Sequence, residues 1–521
     1  MPIIPVNDVG IVGVVSDIKP HELPIAAWSD ARNVRFANGY AEKFLGESAY
    51  TTPSVAPYFL LAVPTTTTFY WLYAGLAKCY SLAGGTHTDI TRAVGGDYGA
   101  TAQYNWTGGV LNGIPILNNY IDDPQMWATP GSGTLAALSN WPANTKCRTL
   151  RPFLNYLVAG DVTKSGTRYA SLVKWSHPAD PGAVPSSWNE ADPTKDCGEM
   201  PLSDTAGAVI DFVSLRRANI VYKEDAIHTM QYVGGEFIFR FGLLTKSAGM
   251  LSRRCAVEFQ PGYHAVLSFG DLLRHDGQQV VSIVDKRMRQ WLVNNIDGAN
   301  YERSFVVSYH NRGEVWFCFP GSGQSFPTLA VVWNWKDNTA TIRDLANVAH
   351  MAEGIITVAD DTWDSDTNVW DSDGAAWDAR LYNPAERNLL SAQPLGPYLR
   401  QVDNTNQWAG SNMSAYVERT GLALPLKVDA PPDFTTRKLL RSVWPRIEGT
   451  DGGIVQVTVG AQNDVDGAVT WEAPQAYVIG TTKKIDTLCS GRLLAVRFSS
   501  TTDVDWRLHG YELDVVSDGM F

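Results

Sequence analysis

Paired cysteines, an apolar run of membrane length, a basic surplus and the short motifs of nucleotide or zinc chemistry are all missing from this chain. Each absence removes a class of function. The six cysteines, Cys79, Cys147, Cys197, Cys255, Cys318 and Cys489, lie at least forty residues apart with no CxxC pair. That spacing assembles neither a zinc knuckle nor a redox motif locally, and buried free thiols are expected. The opening MPIIPVNDVG has no basic n-region and no long apolar core. No secretory signal is visible there, and disulfides are not expected. The longest apolar runs, such as Pro57 to Pro64, fall far short of the roughly 20 residues of a membrane helix. The expectation is a soluble chain made in the cytoplasm, without membrane insertion. Basic residues number 42 against 54 acidic ones, a formal charge of -12. A non-specific nucleic-acid binder needs the opposite balance, although acidity does not exclude DNA that is passed rather than held.

Chemistry-bearing motifs are equally scarce. There is no GxxxxGK[ST] to cradle phosphate, no HExxH to hold zinc beside a general base, and no G-x-S-x-G elbow for a serine nucleophile. GSGQS at Gly321 to Ser325 reads as a loop between strands. The nine histidines are dispersed; His264 and His275 flank a predicted hairpin, where turn or core roles are favoured over catalysis. The acid pairs Asp122-Asp123 and Asp360-Asp361 invite a glycosidase reading. Adjacent residues on a strand point to opposite faces, however, and paired acids are common in turns. Arg216-Arg217, Arg253-Arg254 and Lys483-Lys484 fall in or beside turns and read as solvated, with inter-subunit ion pairs as the alternative. No catalytic residue, cofactor site or metal ligand is nominated.

What the chain has in quantity is strand. Charged residues are only 18%, while Trp, Tyr and Phe number 18, 21 and 18. From Val209 to Arg343 one plan of turn-separated strands is written three times, as in VIDFVSL, RRAN, IVYK, ED, AIHTMQYV. Runs of β-branched and aromatic residues bounded by Gly, Asp and Asn are strand and hairpin signals, and no window there sustains a helical apolar face. Candidate units begin near Tyr58, Thr101, Cys147, Val209, Ala265 and Phe305, at intervals of 40 to 62 residues. Several strands per unit at such spacing is the signature of propeller blades. A seventh blade, or a permuted closure involving the N-terminal hairpin around Asn38-Gly39, stays open.

Beyond Leu395 the plan changes. GIVQVTV and RLLAVRF alternate apolar and polar residues, as antiparallel strands with one solvated face do. The expected architecture is therefore all-β: an irregular β-propeller of about six or seven blades over 51–394, an N-terminal arm and hairpin over 1–50, and a β-sandwich-like platform over 395–521.

TWDSDTNVWDSDGAAWDAR places Trp363, Trp370 and Trp377 seven residues apart, each followed by Asp. Asp364, Asp366 and Asn368 alternate as calcium ligands would, but Val369 and Ala375 stand where an EF-hand has Gly and Glu. Tandem β-turns with Trp rings packed on an adjoining surface are favoured. A subunit interface through the three tryptophans is the next reading, and a metal the last.

Several segments carry a resemblance. GVVSDIKPHELPIAAWSDARNVRFANGYAEKFLG, SLVKWSHPADPGAVPSSW, VYKEDAIHTMQYVGGEFIFRFGLLTKSAG, the WDSD repeat leading to YNPAERNLL, and TWEAPQAYVIGTTKKIDTLCSGRLLAVRFSS with DWRLHGYELDVVSDG resemble, in this order, the tail nozzle or tail stabilisation proteins of short-tailed (podovirus) bacteriophages. The resemblance implies a structural, non-enzymatic virion protein without cofactors. Such a protein forms a homo-oligomeric ring, six-fold in that family, below the portal and its tail adaptor, with phage DNA passing through the lumen. Tail fibre or spike proteins would be its other neighbours. A carbohydrate-binding or glycoside-cleaving propeller is the competing expectation.

Overall fold

The computed structural model describes residues 3–66, 68–235, 237–356, 387–425 and 431–520. Hairpins generate most of it. Ala83 and Thr86, Leu111 and Ile114, and Lys164 and Thr167 are joined by Gly84-Gly85, Asn112-Gly113 and Ser165-Gly166, all at positive φ. A two-residue type I′ turn requires that conformation at both positions, and its twist matches the twist of the strands it joins. The Asn38-Gly39 turn is of this kind and connects Val34–Ala37 to Tyr40–Lys43.

Successive hairpins build antiparallel four-stranded meanders. The first blade comprises Phe59–Pro64, Phe69–Ala74, Cys79–Ala83 and Thr86–Asp89. Five more of the same strand order begin at Thr107–Leu111, Thr145–Phe153, Val209–Leu215, Ala256–Gln260 and Phe305–Tyr309. The fifth starts one strand before the expected Ala265, because AVEFQ carries two polar residues and reads weakly as a strand. The first strands of these blades pack side by side in chain order, and His350–Gly354 packs against those of both the sixth and the first. The ring is therefore closed at seven blades, and the fold is a β-propeller. Among the described residues the single α-helix, Arg289–Asn295, lies between the fifth and sixth blades; at two turns it is too short to announce itself by periodicity.

The seventh blade corrects two expected boundaries. His350–Gly354, Asn388–Gln393 and Tyr398–Val402 are completed by Glu47–Thr51 from the N-terminal region, antiparallel to Tyr398–Val402. Gln407–Trp408 and Ser411–Asn412 extend the same sheet. A boundary at 395 thus falls inside this blade, and one at 51 separates the closing strand from its ring. The strand after the Asn38-Gly39 hairpin closes the propeller; the hairpin itself does not.

The hairpin belongs to the sandwich. One sheet runs Val34–Ala37, Tyr40–Lys43, Trp506–Met520, Thr436–Gly449, Ile485–Gly491, with Ile3–Asn7 also paired to Trp506–Met520. The other runs Asp30–Arg32, Ala415–Leu422, Leu493–Ser500, Ile454–Gln462, Thr470–Trp471, with Gln475–Val478 paired to Ile454–Gln462. Residues 1–50 are therefore no separate arm, since four of these strands come from them. The alternation read in the sequence is the sandwich core: Val455, Val457 and Val459, with Leu494, Val496 and Phe498, are buried against Trp28, Tyr511 and Trp506.

Sandwich and propeller meet along Thr339–Asp344, the outermost strand of the sixth blade. Asn33 N donates to Ile342 O at 2.9 Å and Val14 N to Ala340 O at 3.0 Å. The hydroxyls of Thr341 and Thr339 donate to Val34 O and Phe36 O. An edge strand that would otherwise be open to foreign pairing is thereby covered.

Candidate functional site

Inner strands and the residues that lead into them line the propeller axis, and polar groups from several blades converge there. On Thr145–Phe153, Thr149 and Arg151 are two residues apart and share a face. The next inner strand, Val209–Leu215, has a bulge between Val209 and Asp211, a device that re-aims a side chain. The Asp211 carboxylate accepts from Arg151 Nε at 2.8 Å and Nη2 at 2.6 Å, and from Thr149 Oγ1 at 2.5 Å. It also accepts the backbone N–H of Phe212 at 2.9 Å and of Arg254 at 3.0 Å. Burial alone would raise its pKa, but the Arg151 charge and these hydrogen bonds outweigh burial and hold the carboxyl below its ordinary value. Arg151 Nη1 donates in turn to Gly108 O of the second blade.

Across the axis, His350 of the seventh blade stacks on Phe59 of the first at 4.9 Å and meets Phe305 of the sixth edge-on at 5.5 Å. Its Nδ1 accepts the N–H of Leu60 at 3.2 Å, which leaves the proton of the neutral ring on Nε2. Burial, then the charges of Arg254 and Arg151, push its pKa well down. Arg254 O accepts from Val306 N at 2.8 Å, tying the fifth blade to the sixth. The axis is therefore plugged by side chains of six blades, with the Gly108 carbonyl contributed by the second.

Above the plug, on the side where the inner strands begin, a small cleft of about 80 Å³ is lined by Tyr104, Arg148, Arg168, Arg253, Tyr301 and Glu302, among others. Arg148 lies over the rings of Tyr104 at 5.3 Å and Tyr120 at 5.2 Å. Arg168 is paired to Asp161 at 2.7 and 2.6 Å.

The residues singled out from the sequence are distributed differently. Trp363, Trp370, Trp377 and the pair Asp360-Asp361 lie outside the described residues. Asp122 braces a loop, accepting from Arg92 Nη2 at 2.9 Å, Gly99 N at 2.8 Å and Asn119 Nδ2 at 2.9 Å, while Asp123 is exposed. Arg216-Arg217 and Lys483-Lys484 are exposed as expected of turn residues. Arg253-Arg254 corrects that expectation: Arg254 is buried and Arg253 half-buried, because this turn faces the axis instead of solvent.

His264 and His275 are brought together inside the fifth blade. Tyr222 Oη lies 2.7 Å from His264 Nδ1 and 2.7 Å from His275 Nε2. His264 Nε2 faces Ser214 O at 2.9 Å and must donate, so its Nδ1 accepts from Tyr222. Tyr222 then accepts from His275 Nε2–H, and His275 Nδ1 accepts from Gly277 N. The relay uses every polar atom with both rings neutral. Burial lowers His264 to about 4; burial and its neighbour lower His275 to about 3.

Between the fifth and sixth blades, Phe259, Tyr263, Trp333 and Trp335 wall a cleft of about 350 Å³ whose polar lining includes Arg274 and Asp276. No group of His, Cys, Asp and Glu among the described residues is arranged to hold a metal ion.

No protein-family model matches the chain, and no curated protein matches it. Among solved structures it is similar to a fungal alcohol oxidase of the AA5 family in complex with copper, at a TM-score of 0.39 and 10% identity over 79% of this chain and 91% of that one. The WD40 β-propeller domain of Doa1 matches at 0.34 and 10%, over 70% of this chain and 100% of that one. The β-propeller domain of Cps50 (Swd1) from Myceliophteria thermophila matches at 0.31 and 10%, over 48% and 76%. These neighbours include an enzyme as well as WD40 domains, and at such TM-scores they add nothing to the strand topology described above.

Proposed function

We propose that the chain is a structural, non-enzymatic virion protein that forms the tail nozzle ring of a short-tailed phage, mounted below portal and adaptor, as conduit and gate for the genome. The observation that carries this reading is the ordered series of resembling segments spread over nearly the whole sequence. The architecture agrees with it in two respects. The propeller axis is filled by side chains, so a passage for DNA has to lie between copies of the chain and not through one of them. The sandwich, built from both ends of the described chain and fixed to the sixth blade, offers a platform for the adaptor and for fibre or spike proteins. An acidic chain also suits a conduit, because every basic phosphate contact would have to be broken as DNA moves.

Native mass tests the reading, measured on the purified chain alone and with a portal-adaptor complex. A closed ring, of six copies by the resemblance, is expected in at least one sample; a monomer in both overturns it. Within such a ring, Trp363, Trp370 and Trp377 are proposed interface residues, and replacing them with alanine is expected to impair assembly without unfolding the chain.

A second reading, a glycan-binding propeller, has in its favour the aromatic cleft of Phe259, Tyr263, Trp333 and Trp335, since sugar rings stack on such walls. It requires retention on a glycan surface by the monomer, and loss of that retention in Trp335→Ala.

A further inference from the structure

The charges on the propeller axis do not balance. Arg151 is neutralised by the bidentate contact with Asp211. Arg254 contributes only its backbone N–H to that carboxylate, and its side chain, 6% exposed, has no hydrogen-bond acceptor at Nε or Nη1. Arg254 sits at φ +68, a conformation that costs a non-glycine residue and persists where the surroundings hold it. Its carbonyl is fixed by Val306, and two residues before Val306 lies Ser304, fully buried, whose hydroxyl also has no partner. Two residues with orphaned polar side chains therefore stand at the start of adjoining inner strands whose backbones are joined by the Val306 N to Arg254 O bond.

Three positive groups crowd the same place. Burial and the charges of Arg253 and Arg151 lower Arg254 to about 9, which still leaves the guanidinium protonated at neutral pH. Half-buried His350 is held neutral there and offers Nε2–H, not a counter-charge. Water can satisfy orphan hydrogen bonds but not an uncompensated buried charge. The cleft lined by Leu251, Ser252 and Arg253, immediately preceding Arg254 in the chain, lies beside the position; its other charged lining residues are Arg148, Arg168, Asp161, Glu224 and Glu302.

We propose that the propeller axis is an oxyanion-binding site, in which the Arg254 guanidinium is the principal donor and the Ser304 hydroxyl a second, and which takes a phosphate or carboxylate group. A guanidinium matches the geometry of both and binds them with charge-assisted hydrogen bonds. The bound anion joins the fifth and sixth blades across the axis and completes the plug. The inference is independent of the nozzle reading, because it concerns one chain and its own ring of blades.

Thermal unfolding of the full chain tests it, in a buffer with a bulky organic anion and with inorganic phosphate or acetate titrated in. The midpoint is expected to rise and saturate with one of the two; phosphate alone assigns a phosphate group, acetate alone a carboxylate, and no saturating rise with either overturns the proposal. Arg254→Met should weaken the response roughly tenfold or more, whereas Lys483→Met, at an exposed turn, should keep it; equal responses in both variants overturn it. Should Arg254→Met not fold, crystals of the unaltered chain soaked in bromide decide: an anomalous peak against Arg254 and Ser304 is expected, and its absence refutes the site.

Discussion

Among the described residues some buried polar side chains, unlike Arg254 and Ser304, have every polar atom matched. The Tyr222 relay shows why. Two buried imidazoles are stable only as neutral rings with every nitrogen matched, and one phenol supplies a donor to His264 and an acceptor to His275. Removing that hydroxyl orphans both rings, so Tyr222→Phe should cost about 2 kcal/mol or more in urea unfolding at pH 7.5. The pH dependence has a definite sign. Histidines with depressed folded pKa values leave stability untouched above the unfolded value of 6.5, and stability falls as pH drops from there toward about 4 and 3. A His264→Gln, His275→Gln double variant should unfold with a visibly flatter dependence over that window; identical slopes would mean that the rings are not buried neutral. The cysteines follow the same logic. Five of the six are buried, and burial pushes Cys255 up to about 12, away from reactivity at neutral pH.

Closure is decided at the level of single strands. Glu47–Thr51 completes the seventh blade from the far end of the sequence, and its approach runs through Gly46, whose carbonyl accepts from Asp403 N at 2.8 Å and whose N–H donates to Thr405 O. A Cβ at this position would meet Gln407 O at 2.1 Å. Gly46→Val should therefore prise the closing strand from the blade, lowering stability by about 2 kcal/mol or more. The amides of 47–51 should be the first in the propeller to lose hydrogen-exchange protection. A variant as stable as the parent, with that strand still protected, would show that the ring does not depend on the closure.

Considered as one molecule, the chain couples its two domains through a buried ionic junction. Arg35, on the sandwich strand Val34–Ala37, donates from Nε to Glu314 at 2.9 Å and from Nη2 to Asp403 at 2.9 Å. Glu314 belongs to the sixth blade and Asp403 follows the last long strand of the seventh. A buried cation shared by two carboxylates cannot be deleted cheaply, because Glu314 loses its ion-pair partner and Asp403 keeps only the longer pairs to Arg312 at 3.4 Å and Arg343 at 3.7 Å; Arg35→Met should cost about 3 kcal/mol. Calorimetry should then resolve two transitions, against one expected for the parent. A single transition at an unchanged temperature would mean that the strand contacts along Thr339–Asp344 suffice to couple the domains.

Local pattern determined a good deal by itself. The all-β class, the repeated units, the Asn38-Gly39 hairpin and the sandwich strands around Val455 and Val496 were legible because strand period and turn chemistry are properties of neighbouring residues. A signal for the axial plug stood in the sequence but was not read there: Asp211 interrupts the apolar run VIDFV, and a charge in an inner strand needs a partner. Which partner, and where, only the tertiary structure decided. Arg151 is sixty residues from Asp211, and Arg254 looks like any solvated turn residue until its turn is set facing the axis. Strand pairing is a contest among all compatible edges, so the assignment of Glu47–Thr51 to the seventh blade, and of the preceding strands to the sandwich, was settled by which pairings close the ring and bury both sheets together.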